Sequence, residues 1–212
     1  MTKILLIRHG HSKANEPNLF LGYGNMDLTK TGYEQAEYTA NYLKDVHIDA
    51  IYTSDLDRTI QTATFTAKIK NIPILKDRSL REIYAGKWEY LPFNEIKEKY
   101  PDDWHAFCNG LPNGRCTDGE SFLDTQIRFY NALLNIAKNN DGKTIAIFSH
   151  ATCIKSFTAK ILNLSVIETV KYPLPSNASV STFNYQKGKF TLVEYSKDDF
   201  IETKTSLEKF VK

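Results

Sequence analysis

The sequence is short of most features that would place it in a specialised class. Its three cysteines, Cys108, Cys116 and Cys153, are odd in number and lack metal-ligand spacing, so reduced thiols are expected rather than a disulfide framework or a zinc site. Charge of one sign is missing as well: 27 Lys and Arg against 25 Asp and Glu leave a formal net charge of +2, which offers no dedicated surface to nucleic acid or to an anionic membrane. The apolar run nearest the start, Ile4-Leu5-Leu6-Ile7, stops at Arg8 and is too short for a signal segment or a membrane span, which predicts a cytoplasmic protein. Internal repeats and low-complexity tracts are absent too. What is present, 42% hydrophobic and 25% charged residues over 212 positions, is ordinary globular composition at a length suited to one sizeable α/β domain with an insertion.

Residues 3–7 form a continuous apolar run closed by Arg8, His9 and Gly10, which reads as a buried parallel strand with chemistry at its C-terminal end. Residues 29–46 open on Thr-x-x-Gly and carry Ala36, Ala40 and Leu43 on one face, an amphipathic helix. Residues 50–53 read as a second strand, 55–70 as a helix with Ile60, Ala63 and Ala67 on one face, and 72–75 as a weak third strand. The stretch 81–119 is rich in Pro, Gly and aromatics and is the least regular part; the segment at about 83–119 looks like an inserted lid. Leu123, Ile127, Tyr130, Leu134 and Ala137 step at helical spacing. Residues 144–148 form another buried strand ending in Ser149-His150, Ile154, Phe157, Ile161 and Leu164 mark a further helix, and 179–185 with 190–195 read as a hairpin. Residues 197–212 are expected to be a peripheral tail. Strands alternating with helices predict a three-layer αβα sandwich with a mostly parallel sheet. Such sheets bind ligands beyond the carboxyl ends of their strands.

Two strand ends present histidine, His9 and His150, which a parallel sheet can bring together. A histidine beside a buried strand is more often structural, but Arg8 precedes one of them and Arg58 falls on the first turn of the second helix. Two planar guanidiniums converging on one crevice suit the oxygens of a phosphoryl group.

Arg8-His9-Gly10-His11-Ser12 with Asn15 resembles the opening signature of the histidine phosphatase superfamily, the phosphoglycerate mutase-like enzymes. Asp27-Leu28-Thr29-x-x-Gly32-x-x-Gln35-Ala36, Ser54-x-x-x-Arg58-x-x-Gln61-Thr62-Ala63, Leu80-Arg81-Glu82-Ile83-x-x-Gly86-x-Trp88-Glu89, Gly119-Glu120-Ser121 and Ser149-His150 follow in the family's order. The likeness runs from Lys3 to about Leu164 and implies a single histidine phosphatase domain over 1–212 with a phosphoglycerate mutase-like fold.

The resemblance implies a phosphomonoester hydrolase in which His9 takes the phosphoryl group as a phosphohistidine, its other ring nitrogen held by a carbonyl near Gly10. Arg8, Arg58 and His150 would form the phosphate pocket. Asn15 would donate to the phosphoryl group, the Leu21-Gly22 backbone would lie against the substrate and Ala151 would offer its N–H. Glu82 would protonate the leaving oxygen and then deprotonate the attacking water. No metal or organic cofactor is required by this chemistry, and the expected partner is a small phosphorylated metabolite; the oligomeric state is not legible. Three positions depart from the family pattern, Ala151 where Gly is frequent, His11 where Glu is commoner and Tyr23 where Trp is frequent. They bear on substrate preference.

Other readings compete. Within the family, phosphoglycerate mutase-type transfer is the alternative, although only about two dozen residues separate Arg58 from Glu82. Asp55-Leu56-Asp57-Arg58-Thr59 matches the motif of Mg-dependent aspartyl phosphatases, with polar Thr53-Ser54 interposed after the strand. Cys108 and Arg115 are spaced one residue too far apart for a cysteine phosphatase loop. A non-catalytic binding module of the same fold would be expected to have lost a pocket residue. Cys153 reads as a packing residue or as a thiol with a lowered pKa at a helix start. Trp88, Tyr90, Phe93, Trp104 and Phe107 either wall the pocket or form a satellite core.

Overall fold

Side-chain alternation along the first strand, β1 (Thr2–Arg8), divides the protein into layers. Ile4 and Leu6 enter one apolar cluster while Leu5 and Ile7 enter another, as a strand covered on both faces requires. The computed structural model describes residues 1–205. After β1 come α1 (Lys30–Tyr42), β2 (Ala50–Thr53), α2 (Asp57–Lys70), β3 (Ile74–Lys76), α3 (Phe93–Lys99), α4 (Pro101–Cys108), α5 (Phe122–Asn139), β4 (Thr144–Ser149), α6 (Ala151–Ile161), α7 (Val166–Lys171), β5 (Val180–Gln186) and β6 (Lys189–Lys197). Single 3-10 turns occupy Arg78–Leu80 and Gly86–Trp88.

The sheet order is β3-β2-β4-β1-β5-β6. Strands β1 to β4 run parallel, β5 is antiparallel to β1, and β6 is antiparallel to β5. Helices α5 and α6 cover one face through Phe129, Leu133, Ile154 and Phe157, and the opposite face packs on Leu43 and Ala63 from the α1–α2 side. This is the three-layer α/β architecture that the alternation of strands and helices predicts. No helix among the described residues is long and apolar enough to cross a membrane.

Local sequence explains the boundaries. Thr29 caps α1 by accepting from Gly32 N at 3.1 Å, and Ser121 with Asp124 forms a capping box at the start of α5. The stripe noted in the sequence holds in part: Ala137 is buried and Tyr130 and Leu134 pack against the core, but Leu123 and Ile127 are exposed, and Phe122, Phe129, Leu133 and Ile136 are buried instead. Two apolar stripes interleave on this helix. The one carrying Phe129 faces the sheet, where its ring meets Phe157 edge-on at 6.1 Å.

The irregular stretch forms a third apolar cluster in which Phe20, Ile83, Trp88, Ile96, Phe107, Cys116 and Phe122 are buried. Trp88 is fully enclosed and packs edge-on against both Phe20 and Phe107. Past β6 the chain lies along α1: Phe200 stacks on Tyr42 at 4.1 Å, and Thr203 O accepts from Gln35. Residues 206–212 of the expected tail lie outside the described residues.

Candidate active site

The register of the sheet sets the site. Arg8 of β1 sits opposite Ser149 of β4, so the residues that follow, His9 and His150, emerge side by side with ring centroids 5.3 Å apart. Backbone bonds continue past the strand ends, His9 N to Ser149 O at 3.0 Å and Ser54 N to Phe148 O at 3.2 Å. Three neighbouring strands therefore deliver His9, Ser54 and His150 to one crevice at the carboxyl edge of the sheet.

His9 Nδ1 lies 2.7 Å from Gly10 O. A carbonyl only accepts, so Nδ1 carries the proton and Nε2 keeps its lone pair. Burial, followed by the charges of Arg58 and Arg8, holds the His9 pKa well below the usual imidazole value, which keeps the ring neutral. The loop is fixed from behind by Gly10 N to Thr62 Oγ1 at 3.0 Å and Asn177 Nδ2 to His9 O at 3.1 Å. A Cβ on Gly10 would run into the Gly32 carbonyl, so this glycine is what lets α1 approach the loop.

Arg58 Nε donates to His150 Nδ1 at 3.2 Å, and His150 Nε2 lies 2.8 Å from Ser54 Oγ. Because a guanidinium can only donate, the His150 proton sits on Nε2 and goes to Ser54. Ser54 then donates to Thr59 Oγ1 at 2.7 Å, and Thr59 to Leu56 O at 2.7 Å. Burial and the neighbouring Arg58 also depress the His150 pKa well below normal. The remaining Arg58 donors engage Gly24 O at 2.8 Å and Gly22 O at 2.9 Å. That loop is held in turn by Glu89, whose carboxylate accepts from the backbone N–H of Gly22, Tyr23 and Gly24 at 2.6–3.1 Å.

Glu82 faces the same space. Its Oε1 accepts from Ile83 N at 2.9 Å and its Oε2 from Thr152 N at 3.1 Å. Arg128 steadies the segment by donating to the carbonyls of Ser79, Arg81 and Glu82 at 2.9–3.0 Å. Arg8 gives Nη1 to Pro175 O at 2.8 Å, while its buried Nε has no hydrogen-bond partner among the described residues. Burial pulls the pKa values of Arg8 and Arg58 down to about 10, so both remain charged at neutral pH. Arg8, His9, Arg58, Glu82 and His150 are each no more than 7% exposed. Neither guanidinium has a carboxylate at ion-pair distance among the described residues, and two buried positive charges are expensive without an anion to meet them.

A cavity of about 90 Å³ opens beside these groups, lined by Arg8, His9, Asn15, Arg58, Glu82 and Ala151 among others, while His150 is fully buried behind Arg58 and does not line it. Leu21 also lines it, and Gly22 does not; the Gly22 N–H and carbonyl are committed to Glu89 and Arg58. Asn15 Oδ1 accepts from Ser12 N and Oγ, which orients its amide. Ala151 opens α6 directly after His150, so its N–H belongs to the unpaired first turn of a helix. Of the lid aromatics, Phe93 lines the cavity while Trp88 and Phe107 lie in the satellite core.

Asp55 is elsewhere engaged, taking Arg81 Nε at 2.5 Å and Nη2 at 2.6 Å on its two oxygens. Arg81 therefore pairs with Asp55 and leaves Glu82 to the cavity. Cys153 is buried, its Sγ lies 2.9 Å from Arg81 O, and burial pushes the thiol pKa well up, which makes it a packing residue rather than a reactive thiolate. Among the described residues no cluster of three or more His, Cys, Asp or Glu side chains is arranged to hold a metal. Sequence reasoning assigned no role to Ser54, Glu89, Arg128 or Asn177. Ser54 and Glu89 lie inside motifs that were visible, but Arg128 and Asn177 carry no local signal.

Residues 4–198 match the sequence profile described as histidine phosphatase superfamily (branch 1). The chain is 27% identical over 194 residues to phosphoserine phosphatase 1 of Hydrogenobacter thermophilus, covering 92% of each chain. It is 30% identical over 190 residues to a probable phosphoglycerate mutase, GpmB, of Escherichia fergusonii, covering 90% of this chain and 88% of that one. Bacillus stearothermophilus YhfR superposes with a TM-score of 0.91 at 29% identity, over 95% of this chain and all of the other. With the paired histidines and their arginines at one sheet edge, and with a profile match across nearly its whole length, this chain belongs to branch 1 of the histidine phosphatase superfamily.

Proposed function

We propose that the protein is a phosphomonoester hydrolase that works through a phosphohistidine on His9. The observation that carries this is the His9 ring itself, neutral, with Nδ1 tied to Gly10 O at 2.7 Å, in a cavity shared with Arg8, Arg58 and Glu82. The Nε2 lone pair attacks phosphorus as the ester P–O bond breaks, and protonated Glu82 gives its proton to the leaving oxygen, releasing an alcohol. Glu82, now a carboxylate, takes a proton from water. The resulting oxygen attacks phosphorus, the N–P bond breaks, and inorganic phosphate leaves with His9 restored. Arg8 and Arg58 balance the charge spread over the equatorial oxygens, Asn15 and the Ala151 N–H complete the cradle, and His150, its two ring nitrogens engaged by Arg58 and Ser54, positions the Arg58 guanidinium. Leu21 borders the leaving group.

Small phosphorylated metabolites are the substrate class, in keeping with relatives named for phosphoserine and phosphoglycerate. The expected location is the cytoplasm. No metal or organic cofactor enters these steps. The second reading, phosphoglycerate mutase-type transfer, is favoured by one observation, the 30% identity to a probable phosphoglycerate mutase. Residues 83–119 are read as a cover over the cavity, to which they contribute Ile83 and Phe93.

Hydrolysis of para-nitrophenyl phosphate, with and without EDTA and beside a 3-phosphoglycerate interconversion assay, separates the possibilities. EDTA-insensitive release of phosphate is expected. Loss of activity to EDTA would move the chemistry to Asp55 and a metal, and interconversion without net phosphate release would make the protein a mutase.

A further inference from the structure

A second, smaller cavity adjoins the first and holds a charge that the proposed chemistry does not use. It encloses about 30 Å³ and is lined by Phe107, Cys108, Phe122, Lys155 and Val170, with Phe20, Thr152 and Leu174 as the wall it shares with the phosphate cavity. That space holds more than one water and suits a group the size of a carboxylate. Lys155 is only 6% exposed. Its ammonium donates to Val170 O at 2.7 Å, in the last turn of α7, and lies 5.6 Å from the centre of the Phe122 ring. An ammonium has three donors and this acceptor takes one.

No carboxylate lies within salt-bridge distance of Lys155 among the described residues, as the ion pairs there involve other lysines. Cys108 supplies no negative charge, since burial pushes its thiol up to about 11. Burial without a counter-charge pulls Lys155 down to about 8. A methionine would fill the same volume without that penalty. A cation kept at such a position calls for an anion that arrives from outside.

The helix sets where that anion would sit. Lys155 follows Thr152 by three residues, so the two share a face of α6 about one turn apart. Both line the smaller cavity and Thr152 also lines the phosphate cavity, so the ammonium stands about one helical turn from the wall between the two. We infer that the cavity around Lys155 is a subsite for a carboxylate carried on the leaving group of the phosphomonoester, two or three carbons from the ester oxygen. The inference rests on the reading of the first cavity as a phosphomonoester site and deepens it: the substrate is a phosphorylated hydroxy acid, its ester at His9 and its acid at Lys155.

The test compares 3-phosphonooxypropanoate with propyl phosphate, which lacks only the carboxylate, on the wild type, Lys155→Met and Lys155→Arg. The wild type is expected to favour the acid by tenfold or more in kcat/KM, Lys155→Met to bring the ratio near one, and Lys155→Arg to retain part of the preference. An unchanged ratio in Lys155→Met, or no preference in the wild type, overturns the subsite. If the wild type hydrolyses neither ester, the hydrolase reading has failed, and titration calorimetry with the same two compounds decides the subsite separately. Tighter binding of the acid that Lys155→Met abolishes supports it; equal affinities, or no binding of either compound, overturn it. Lys155→Gln replaces Lys155→Met in each comparison if thermal melting shows that the methionine variant does not fold.

Discussion

Arg58 and His150 are joined by a hydrogen bond of 3.2 Å from the guanidinium Nε to the ring Nδ1. This one contact decides the tautomer of His150, because the donor cannot reverse its role. It also makes Ser54, 2.8 Å from the other ring nitrogen, the acceptor that completes the arrangement.

Ser54→Ala removes that acceptor and leaves a buried N–H unsatisfied, at a cost of about 1–3 kcal/mol. Denaturant unfolding is expected to record a loss of that size, and kcat to fall by about tenfold or more as the ring turns away from its productive orientation. A ring 15N spectrum that kept the wild-type tautomer for His150, with unchanged kcat, would contradict the assignment.

His9→Ala is expected to abolish turnover, because it removes the Nε2 lone pair that the Gly10 carbonyl fixes beside Arg8 and Arg58. Glu82→Gln keeps the nucleophile and loses the proton donor, so kcat is expected to fall by about 10²- to 10⁴-fold. Rapid acid-free quenching followed by 31P NMR should then reveal the phosphoramidate in Glu82→Gln when the leaving group is as good as para-nitrophenolate. Near-normal activity in His9→Ala would sink the mechanism.

The pH profile follows from the depressed His9 pKa. A base whose pKa is lowered in the native site stays deprotonated to lower pH, so the nucleophile survives well below the usual imidazole value and is lost only as pH falls through the shifted value. Measured with correction for the substrate's own second ionisation, kcat/KM should show no acid limb near pH 6.5, the ordinary midpoint. An acid limb there, absent from kcat for a substrate already ionised, would argue that the His9 ring is not held neutral.

Glu89 supports the site from behind through three backbone N–H groups. Glu89→Gln loses charge-assisted bonds worth about 1.5–3 kcal/mol apiece at most, and the loop that carries the acceptors of Arg58 loosens. A rise in KM larger than the fall in kcat is the expected result in steady-state kinetics. Unchanged kinetics would show that the loop holds its shape without the carboxylate.

Lys155 gives a stability signature independent of activity. Its native pKa near 8 lies below the ordinary 10.5, so between these values the unfolded chain binds a proton that the native protein has released. Stability contributed at this position therefore rises with pH across that window, by up to about 1.4 kcal/mol per pH unit. Unfolding free energies of the wild type minus those of Lys155→Met should climb from pH 8 toward 10. A flat difference would mean that the ammonium is not penalised by its surroundings.

Sequence alone determined the alternation of strands and helices, because a run such as Ile4-Leu5-Leu6-Ile7 can be satisfied only by burial on both faces of a sheet. It also determined Arg8, His9 and His150 as candidates at strand ends and Arg58 at a helix start, whereas Glu82 was singled out by the resemblance of ordered motifs to the histidine phosphatase superfamily. Tertiary structure decided the rest. Which residues of α5 are buried was decided by packing against the sheet and α6, where Phe129 and Leu133 are enclosed and Leu123 and Ile127 are left outside. The partner of Arg81 turned out to be Asp55, 26 positions away in the chain and not the adjacent Glu82. Support from Asn177 and Arg128 and the placing of Lys155 against Val170 and Phe122, with no carboxylate at ion-pair distance among the described residues, are decided across the fold. Such contacts leave no periodic trace in a sequence, because hydrogen bonds and ion pairs depend on where atoms meet, whereas burial depends on pattern.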